Sequence, residues 1–359
     1  MMKQTPLYQI HVESQGNMVD FWDWKMPLNY GSQIEEHHQV RHDAGMFDIS
    51  HMSVVDFKGV EAKAFLQVLI ANDVDKLRVQ GKALYGCMLN ELGGIVDDLI
   101  VYCRNNEYYR MVINARTTDK DMAWINTQAN SFDVLVEPIS DLAMIAVQGP
   151  NAREKVFSAI PGVEEVCGEL KSFNAASLGK LFIARIGYTG EDGFEIMLPL
   201  NAAKFTWKML LEAGVKPYGL GAFDTLRLEA GVSLYGLEMN DMVSPLEAAL
   251  AWTVDLSNEN RAFIGRDALE TLKDKGVKKT IIGLVLEGKG VIRNHQKVMT
   301  SLGEGKVTSG IFSPTIGKAI ALASVPKGSL GVCEIEIRKR QVYAKIVEPP
   351  FVRNGIVLV

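Results

Sequence analysis

Two adjacent acids open an otherwise apolar segment and are the first residues that could do chemistry. Asp97 and Asp98 follow the pair Gly93-Gly94 and precede a run of aliphatic residues, so the segment is predicted to be a β-strand. Neighbouring side chains of a strand point to opposite faces, so these carboxylates cannot share a proton as a dyad, and one of them is expected to face a cavity. The alternative is that both acids only decorate the turn after the glycines.

A third carboxylate, Glu195, lies in a glycine-rich segment that begins at Gly187. Its neighbours on either side are apolar, which predicts a half-buried strand. A carboxylate there could accept two hydrogen bonds from a flat heterocycle that carries N–H groups, and the glycines would allow close approach of the backbone to a ligand. The alternative is an exposed glutamate on a hairpin.

A second pair of charged residues, Asp224 and Arg227, lies in a segment that is predicted to be helical. Asp224 could cap this helix, with Arg227 in its first turn. The alternative is a purely structural salt bridge.

Three other patterns resemble ligand-binding signatures but lack an essential member. Residues 283–290 imitate a phosphate-binding loop, yet Gly290 stands where a hydroxyl should bind Mg²⁺. The pair Gly219 and Gly221 lacks the third glycine of a dinucleotide fingerprint. His38 and His42 lie one helical turn apart without a third ligand near in sequence, so a solvated helix face is favoured over a metal site. The sequence therefore predicts carboxylate chemistry without a metal.

The sequence pattern predicts the helices and strands that carry these residues. Helices are predicted at 33–42, 62–70, 118–130, 151–159 (with Asn151 as cap) and 202–213, and strands at 52–58, 83–89, 95–102, 108–113, 143–147, 181–186 and 194–198. After residue 275, short strands are predicted at 281–286, 310–312, 319–325, 332–338 and 341–347. The first pattern indicates α+β layers of the split βαβ type, and the second indicates a small all-β barrel or sandwich.

Composition narrows the function class. The chain has 359 residues, of which 47% are hydrophobic, and a net charge of −5, which argues against a nucleic-acid-binding protein. The charge is unevenly distributed: the net charge is +9 from Thr271 onward and −14 before it, so the basic end is either a docking surface for an acidic partner or merely solvated.

The four cysteines of the chain form no C-x-x-C pair, and no segment resembles a signal peptide or a membrane span. We expect a cytoplasmic protein with reduced thiols.

Taken together, the motifs resemble the glycine cleavage T-protein family, whose members are tetrahydrofolate-dependent aminomethyltransferases. The likeness covers nearly the whole chain and is carried, among other segments, by Arg41-His-Asp-Ala-Gly-Met-Phe-Asp-Ile-Ser-His-Met52, Gly93-Gly-Ile-Val-Asp-Asp98, Gly187-Tyr-Thr-Gly-Glu-Asp-Gly193, Asp224-Thr-Leu-Arg-Leu-Glu-Ala-Gly231 and Thr308-Ser-Gly-Ile-Phe-Ser-Pro-Thr315. No single segment is diagnostic, but their common order is a strong signal.

The resemblance implies a three-domain cloverleaf of the α+β class, in which two intertwined ferredoxin-like units are followed by a small C-terminal β-barrel. The approximate domain boundaries are 1–140, 141–275 and 276–359. The implied reaction moves an aminomethyl group from the lipoyl arm of the acidic H-protein to tetrahydrofolate, with release of ammonia and formation of 5,10-methylenetetrahydrofolate. The P- and L-proteins act in the same system.

Residue by residue, the resemblance implies that Asp97 is catalytic and that no metal takes part. The residues that it assigns to the folate site are Met52, Tyr85, Asn114, Tyr188, Glu195, Arg227, Tyr235 and Arg353.

The chain departs from the family pattern at one position. The family usually has arginine immediately before the aspartate of the Asp-Thr-Leu-Arg motif, and this chain has Phe223 there. Loss of a guanidinium could weaken binding of the anionic folate tail, or it could mark a paralogue with another donor. The alternatives are therefore a folate-dependent demethylase of a small methylated donor and a non-catalytic folate-binding protein of the same fold.

Overall fold

Nine α-helices form in residues 2–338 and 340–359, the part of the chain that the computed structural model describes. They are α1 (Tyr8–Glu13), α2 (Gln33–His42), α3 (Ala62–Leu69), α4 (Thr118–Ala129), α5 (Ala152–Ala159), α6 (Val163–Cys167), α7 (Leu200–Glu212), α8 (Leu220–Glu229) and α9 (Arg266–Lys275). The five predicted helices are confirmed within two residues at each end. The short α1 and α6, the ten-residue α9 and the helix bounds of α8 were not predicted.

Helix ends show where local sequence decides structure and where it does not. The hydroxyl of Ser32 accepts a hydrogen bond from the backbone N–H of Glu35, and acids in the first turn of α2 complement the helix dipole. Asn151 does precede α5 as predicted, but its side chain makes no capping bond and instead donates to Asp43 Oδ1 at 3.0 Å. The predicted cap is therefore wrong in its chemistry, because a tertiary partner takes the amide.

Twenty-two strands form in the same described residues. The strands before residue 220 are β1 (Lys3–Gln4), β2 (Met18–Phe21), β3 (Trp24–Pro27), β4 (Gly45–Asp48), β5 (Ser53–Lys58), β6 (Ala83–Leu89), β7 (Ile95–Asn105), β8 (Tyr108–Ile113), β9 (Leu135–Ile139), β10 (Leu142–Gln148), β11 (Asn174–Leu178), β12 (Leu181–Arg185), β13 (Gly193–Pro199) and β14 (Lys216–Pro217). The later strands are β15 (Lys279–Leu286), β16 (Lys297–Thr300), β17 (Gly303–Ser313), β18 (Lys318–Pro326), β19 (Val332–Ile337), β20 (Arg340–Val347), β21 (Val352–Arg353) and β22 (Ile356–Val357).

The chain divides into two compact units, each assembled from segments that are distant in sequence. The first unit comprises residues up to Lys63, Lys76–Leu84 and Ile100–Leu226. The second comprises Ala64–Asp75, Tyr85–Leu99 and the chain from Arg227 onward. The chain passes from one unit to the other within β6 and again within β7.

Layers of helices and sheets build the α+β part. One sheet has six strands in the order β11-β12-β13-β10-β4-β14, and another has five in the order β6-β7-β8-β5-β9. One face of the six-stranded sheet buries aliphatic residues such as Ile145 and Ile196 against α5 and α7, where Val156 and Trp207 lie in the same core. This arrangement confirms the predicted α+β class.

A closed barrel forms the β-rich end, in the order β15-β18-β17-β16-β19-β20. Its interior is filled by alternating small and branched residues, among them Leu284, Val307, Ala321 and Ile335, which are all buried. Because the six strands close on themselves, the β-rich end is the predicted barrel and not the predicted sandwich. Closure also removes exposed strand edges. Strand β16 was missed because its four residues show little hydrophobic alternation.

One buried arginine connects two loops of the second unit. The guanidinium of Arg261 donates to the carbonyl oxygens of Ile70, Ala71, Asn72 and Asp255 at 2.6–3.1 Å. The Ala71 carbonyl also accepts the backbone N–H of Asp255 at 3.0 Å, so the arginine reinforces the backbone bonding between these two segments.

Replacement of this arginine should therefore destabilise the second unit. We expect Arg261→Met to lower the free energy of unfolding by about 2–3 kcal/mol, because several buried carbonyls lose their donor. Thermal unfolding followed by circular dichroism measures the change. The exposed Arg293 provides the matched control, and an equal effect of Arg293→Met would contradict this interpretation.

Candidate active site

The two acids of β7 lie inside the protein. Asp97 is 0% and Asp98 4% exposed, so neither acid merely decorates the preceding turn. The turn itself needs its two glycines: Gly93 has φ +79°, and a Cβ on Gly94 would lie 1.8 Å from the carbonyl oxygen of Asp241. The Gly-Gly turn therefore starts the strand at a defined place and delivers both carboxylates into the interior.

An aromatic residue of the second unit, Tyr85, contacts Asp98. The Tyr85 hydroxyl donates to Asp98 Oδ2 at 2.8 Å, and the Tyr85 ring stacks on Trp252 with centroids 5.3 Å apart. Burial, together with the negative charges of Asp98 and Asp97, raises the pKa of the Cys87 thiol, which keeps it neutral. Sequence reasoning missed Trp252, which lies in a short 3-10 helix at Ala251–Thr253.

Glu195 lies in the middle of β13 and is only 7% exposed. Its strand neighbours on the two sides are Ala146 of β10 and Ala184 of β12, and Phe47 of β4 follows beyond Ala146. Residues directly opposite one another share a face of the sheet, so Glu195 stands between two small side chains. The alternative of an exposed hairpin glutamate is wrong.

Burial alone raises the pKa of Glu195 to about 7. Among the described residues, no side chain or backbone group donates a hydrogen bond to its carboxylate. Its charge, after burial, contributes to raising the pKa of Tyr102 and of Tyr218, so both phenols lie within its field. A buried carboxylate that lacks a protein donor is equipped to bind N–H groups of a ligand.

The turn before β13 is held rigidly and carries Tyr188. Thr189 Oγ1 donates to Gln148 Oε1 at 3.0 Å, while Gln148 Nε2 donates to the carbonyl oxygen of Ile186 at 3.0 Å. Arg41 Nη1 donates to the carbonyl oxygen of Thr189 at 2.7 Å. Arg41 was identified from the sequence only as part of a motif and Gln148 was not identified, because both lie far in sequence from the turn.

Phe223 lies in a stack of aromatic rings. Its ring is nearly parallel to that of Phe47, with centroids 5.2 Å apart, and Tyr188 stacks on it at 6.2 Å. The ring of Tyr218 stacks on Phe47 at 5.3 Å. An aromatic contact therefore occupies the position where the family usually has arginine.

Met52 and Asn114 lie close together in the first unit. Met52 precedes Ser53 and Asn114 follows Ile113, and these two strand residues are partners at the end of the β5–β8 pair. Both are partly exposed, so the end of this sheet presents two of the predicted site residues.

Arg227 is 1% exposed and belongs to a buried network of the second unit. Its guanidinium donates to Glu238 Oε2 at 3.4 Å and to Ser309 Oγ at 3.1 Å. Asp224 lies in the second turn of α8, so the predicted cap at Asp224 is wrong. The helix begins earlier because Glu36 accepts the N–H of Gly219 at 2.8 Å.

Tyr235 and Arg353 complete the set in the second unit. The Tyr235 hydroxyl donates to Asp241 Oδ1 at 3.2 Å, and Arg353 is exposed in the β21–β22 hairpin. The predicted residues thus divide between the units, with Met52, Asn114, Tyr188 and Glu195 in the first and Tyr85, Asp97, Arg227, Tyr235 and Arg353 in the second.

In the part of the chain that the structure describes, no helix is long and apolar enough to span a bilayer.

Comparison with known proteins identifies the family. The model of the GCVT N-terminal domain matches residues 7–258, and the model of the glycine cleavage T-protein C-terminal barrel domain matches residues 279–353. The chain therefore belongs to the glycine cleavage T-protein family.

Individual relatives are similar over nearly the whole chain. An aminomethyltransferase of Xanthomonas oryzae pv. oryzae is 55% identical over 361 residues, which cover 99% of this chain and 98% of that protein. An aminomethyltransferase of Xylella fastidiosa is 53% identical over the same share of each chain. The crystal structure of glycine cleavage system aminomethyltransferase T from Bartonella henselae superposes with a TM-score of 0.93 at 33% identity, and the match covers 100% of both chains.

The raised pKa of Glu195 predicts a pH-dependent cost in stability. The carboxyl pKa rises from 4.5 to about 7 on folding, so the folded state binds the proton more tightly than the unfolded state. The resulting loss in the free energy of unfolding is absent well below pH 4.5. It is complete above pH 7, where it reaches on the order of 3 kcal/mol. We therefore expect Glu195→Gln to raise the stability of the ligand-free protein at pH 8 and to change it by less than about 1 kcal/mol at pH 5.

Thermal midpoints of both proteins at the two pH values measure this difference. The exposed Glu169 provides the control substitution to Gln. A gain in stability that is the same at pH 5 and pH 8 would show that ionisation of Glu195 is not its source.

Proposed function

We propose that this chain is the aminomethyltransferase of the glycine cleavage system. It takes the aminomethyl group from S-aminomethyldihydrolipoyl H-protein and transfers the carbon to tetrahydrofolate, with release of ammonia and formation of 5,10-methylenetetrahydrofolate. The observation that carries this proposal is the identity of 53–55% over nearly the whole length with aminomethyltransferases.

In this reaction the transferred carbon begins bonded to sulfur and nitrogen and ends bonded to N5 and N10 of the folate. The C–N bond breaks to release ammonia, and the C–S bond breaks to leave the dihydrolipoyl thiol. The two protons lost from N5 and N10 balance those gained by nitrogen and sulfur. Positive charge develops on the carbon as its bonds break, so catalysis needs a fixed negative charge nearby.

Asp97 is the residue proposed for this role. A fully buried carboxylate in a strand is preorganised, and its field is stronger there than in water. It would stabilise the cationic carbon and receive the proton from the attacking N5. Asp98 accepts a hydrogen bond from the Tyr85 hydroxyl at 2.8 Å.

Glu195 is the residue proposed to bind the pterin ring. Its buried carboxylate lacks a donor among the described residues, and the small Ala146 and Ala184 flank it. A pterin edge carries adjacent N–H groups that fit two carboxylate oxygens, and such charge-assisted bonds would offset the cost of burial. Met52, Asn114, Tyr188, Tyr85, Arg227, Tyr235 and Arg353 are proposed as further residues of the folate site.

The H-protein is the proposed partner. Its acidic surface complements the basic end of this chain, which carries +9 from Thr271 onward. Arg338 and Arg340 of this end are exposed, whereas Lys339 between them lies outside the described residues.

Ammonia release tests the proposed function directly. Purified protein is incubated with aminomethylated H-protein, with and without tetrahydrofolate, and ammonia and methylenetetrahydrofolate are measured. We expect rapid release of both only when folate is present. Formation of a folate product from a small methylated amine, with no reaction on the H-protein, would favour the demethylase alternative, and binding without turnover would favour a non-catalytic protein.

Substitution of the two adjacent acids tests the role of Asp97. We expect Asp97→Asn to lower turnover by about 100-fold or more, because the cation loses a positioned charge. Asp98→Asn is the matched control. Its amide oxygen can still accept the Tyr85 hydroxyl, so turnover should fall far less, and equal losses in both variants would remove Asp97 from the catalytic role.

Folate affinity tests Glu195. We expect Glu195→Gln to weaken tetrahydrofolate binding by about 10–100-fold at pH 8, since an amide donor replaces one acceptor. Wild-type affinity should fall by up to about tenfold per unit below pH 7, because the ligand must displace a proton, whereas affinity of the variant should not follow this pH profile. Calorimetric titration at several pH values measures both effects, and an unchanged dissociation constant in the variant would contradict the proposal.

Salt tests the H-protein interaction. Exposed charges are screened over about 10 Å at 0.1 M salt, so the Michaelis constant for H-protein should rise with salt, whereas that for folate should respond much less. Charge reversal at Arg338, Lys339 and Arg340 should raise the Michaelis constant for H-protein and leave turnover at saturation unchanged. Salt-independent kinetics would mean that the basic end is only solvated.

A further inference from the structure

A column of four aromatic rings leads from the interior of the first unit toward its surface. The order of the rings is Tyr218, Phe47, Phe223 and Tyr188, with successive centroids 5.3, 5.2 and 6.2 Å apart. The angles between successive ring planes are 19°, 13° and 28°. Nearly parallel rings at these distances form offset stacks, which are favourable beyond the area that they bury.

The inner end of the column is tied to the buried carboxylate. Phe47 is paired with Ala146, and Ala146 is paired with Glu195, so all three side chains share one face of the sheet. Tyr218 also lies within the field of Glu195. The column therefore forms an aromatic wall next to the small Ala146, which lies beside the Glu195 carboxylate.

Exposure increases along the column. Tyr218 and Phe47 are 2% and 1% exposed, whereas Phe223 and Tyr188 are only partly buried. Phe223 thus lies between the buried ring of Phe47 and the more accessible ring of Tyr188.

Two kinds of contact hold Tyr188. The backbone of its turn is fixed by the bonds of Gln148 and Arg41 to neighbouring residues, and its ring is stacked on Phe223. The first contact fixes where the side chain starts, and the second orients the ring plane.

We propose that Phe223 is a positioning residue for the folate ring system. It holds the Tyr188 ring in line with the column, so that a flat ligand whose N–H edge is bound by Glu195 meets an aromatic face. Phe223 thereby sets the preference of this site for a planar ring. This inference rests on the proposed function.

Replacement of the Phe223 ring by an aliphatic side chain tests the proposal. Phe223→Leu keeps an apolar residue but removes the stack, and we expect it to weaken tetrahydrofolate binding by about 3–10-fold. The Michaelis constant for folate should rise by the same factor, while that for H-protein should stay near the wild-type value. The thermal midpoint should fall only slightly, because a partly buried stack is lost but an apolar side chain remains. The conservative variant Phe223→Tyr should bind folate within about twofold of wild type.

A double-mutant cycle separates positioning from a merely structural role. If Phe223 acts through Tyr188, the loss of folate affinity in the Phe223→Leu, Tyr188→Leu pair should be smaller than the two single losses combined. Additive losses would overturn the proposed route through Tyr188.

Two further outcomes would also overturn the inference. Equal folate affinity of Phe223→Leu and wild type would show that the ring is not needed, and this result leaves the proposed function intact. Tighter binding by Phe223→Arg would show that the position serves a cation rather than a ring. If wild-type protein binds no folate at all, the proposed function fails first and the inference fails with it.

Discussion

The cost of removing a carboxylate from water is the constraint around which the structure is organised. Glu195 shows this cost most clearly. It lies in the centre of a strand, burial raises its pKa to about 7, and the described residues donate no hydrogen bond to its carboxylate. A fold tolerates such a group only when the surrounding sheet is stable enough to impose it. The layered core on the opposite face of the same sheet provides that stability, with Ile145 and Ile196 among its buried residues.

Other buried acids of the chain are treated differently. Glu229 accepts hydrogen bonds from Ser313 and Thr315, and Glu238 accepts from Ser309 and Arg227. These acids join the end of α8 and the following loop to the barrel strand β17 and its turn, so they act as structural links. Glu229 and Glu238 thus hold the fold through their hydrogen bonds, whereas Glu195 is the carboxylate that we propose for ligand binding.

Much of the fold was predictable because its signals are local. Hydrophobic periodicity located the main helices, and runs of β-branched residues between glycines located the central strands and the β-rich end. The hairpin of β2 and β3, strand β16 and the short helices α1 and α6 were missed, because they have too few residues to show a period. Helix α9 was also missed, although it has ten residues. Contacts between distant segments also changed local expectations, as at Asn151, whose side chain binds Asp43 instead of capping its helix.

The sequence by itself determined which residues bear charge within apolar strands, namely Asp97, Asp98 and Glu195, and the order of motifs that assigns the chain to its family. Only the tertiary structure decided what surrounds them. It placed alanines on both sides of Glu195, gave Asp98 the Tyr85 hydroxyl, and stacked Phe223 between Phe47 and Tyr188. The physical reason is that burial, pKa and ring stacking depend on neighbours brought together across many residues, and a linear pattern contains no measure of those distances.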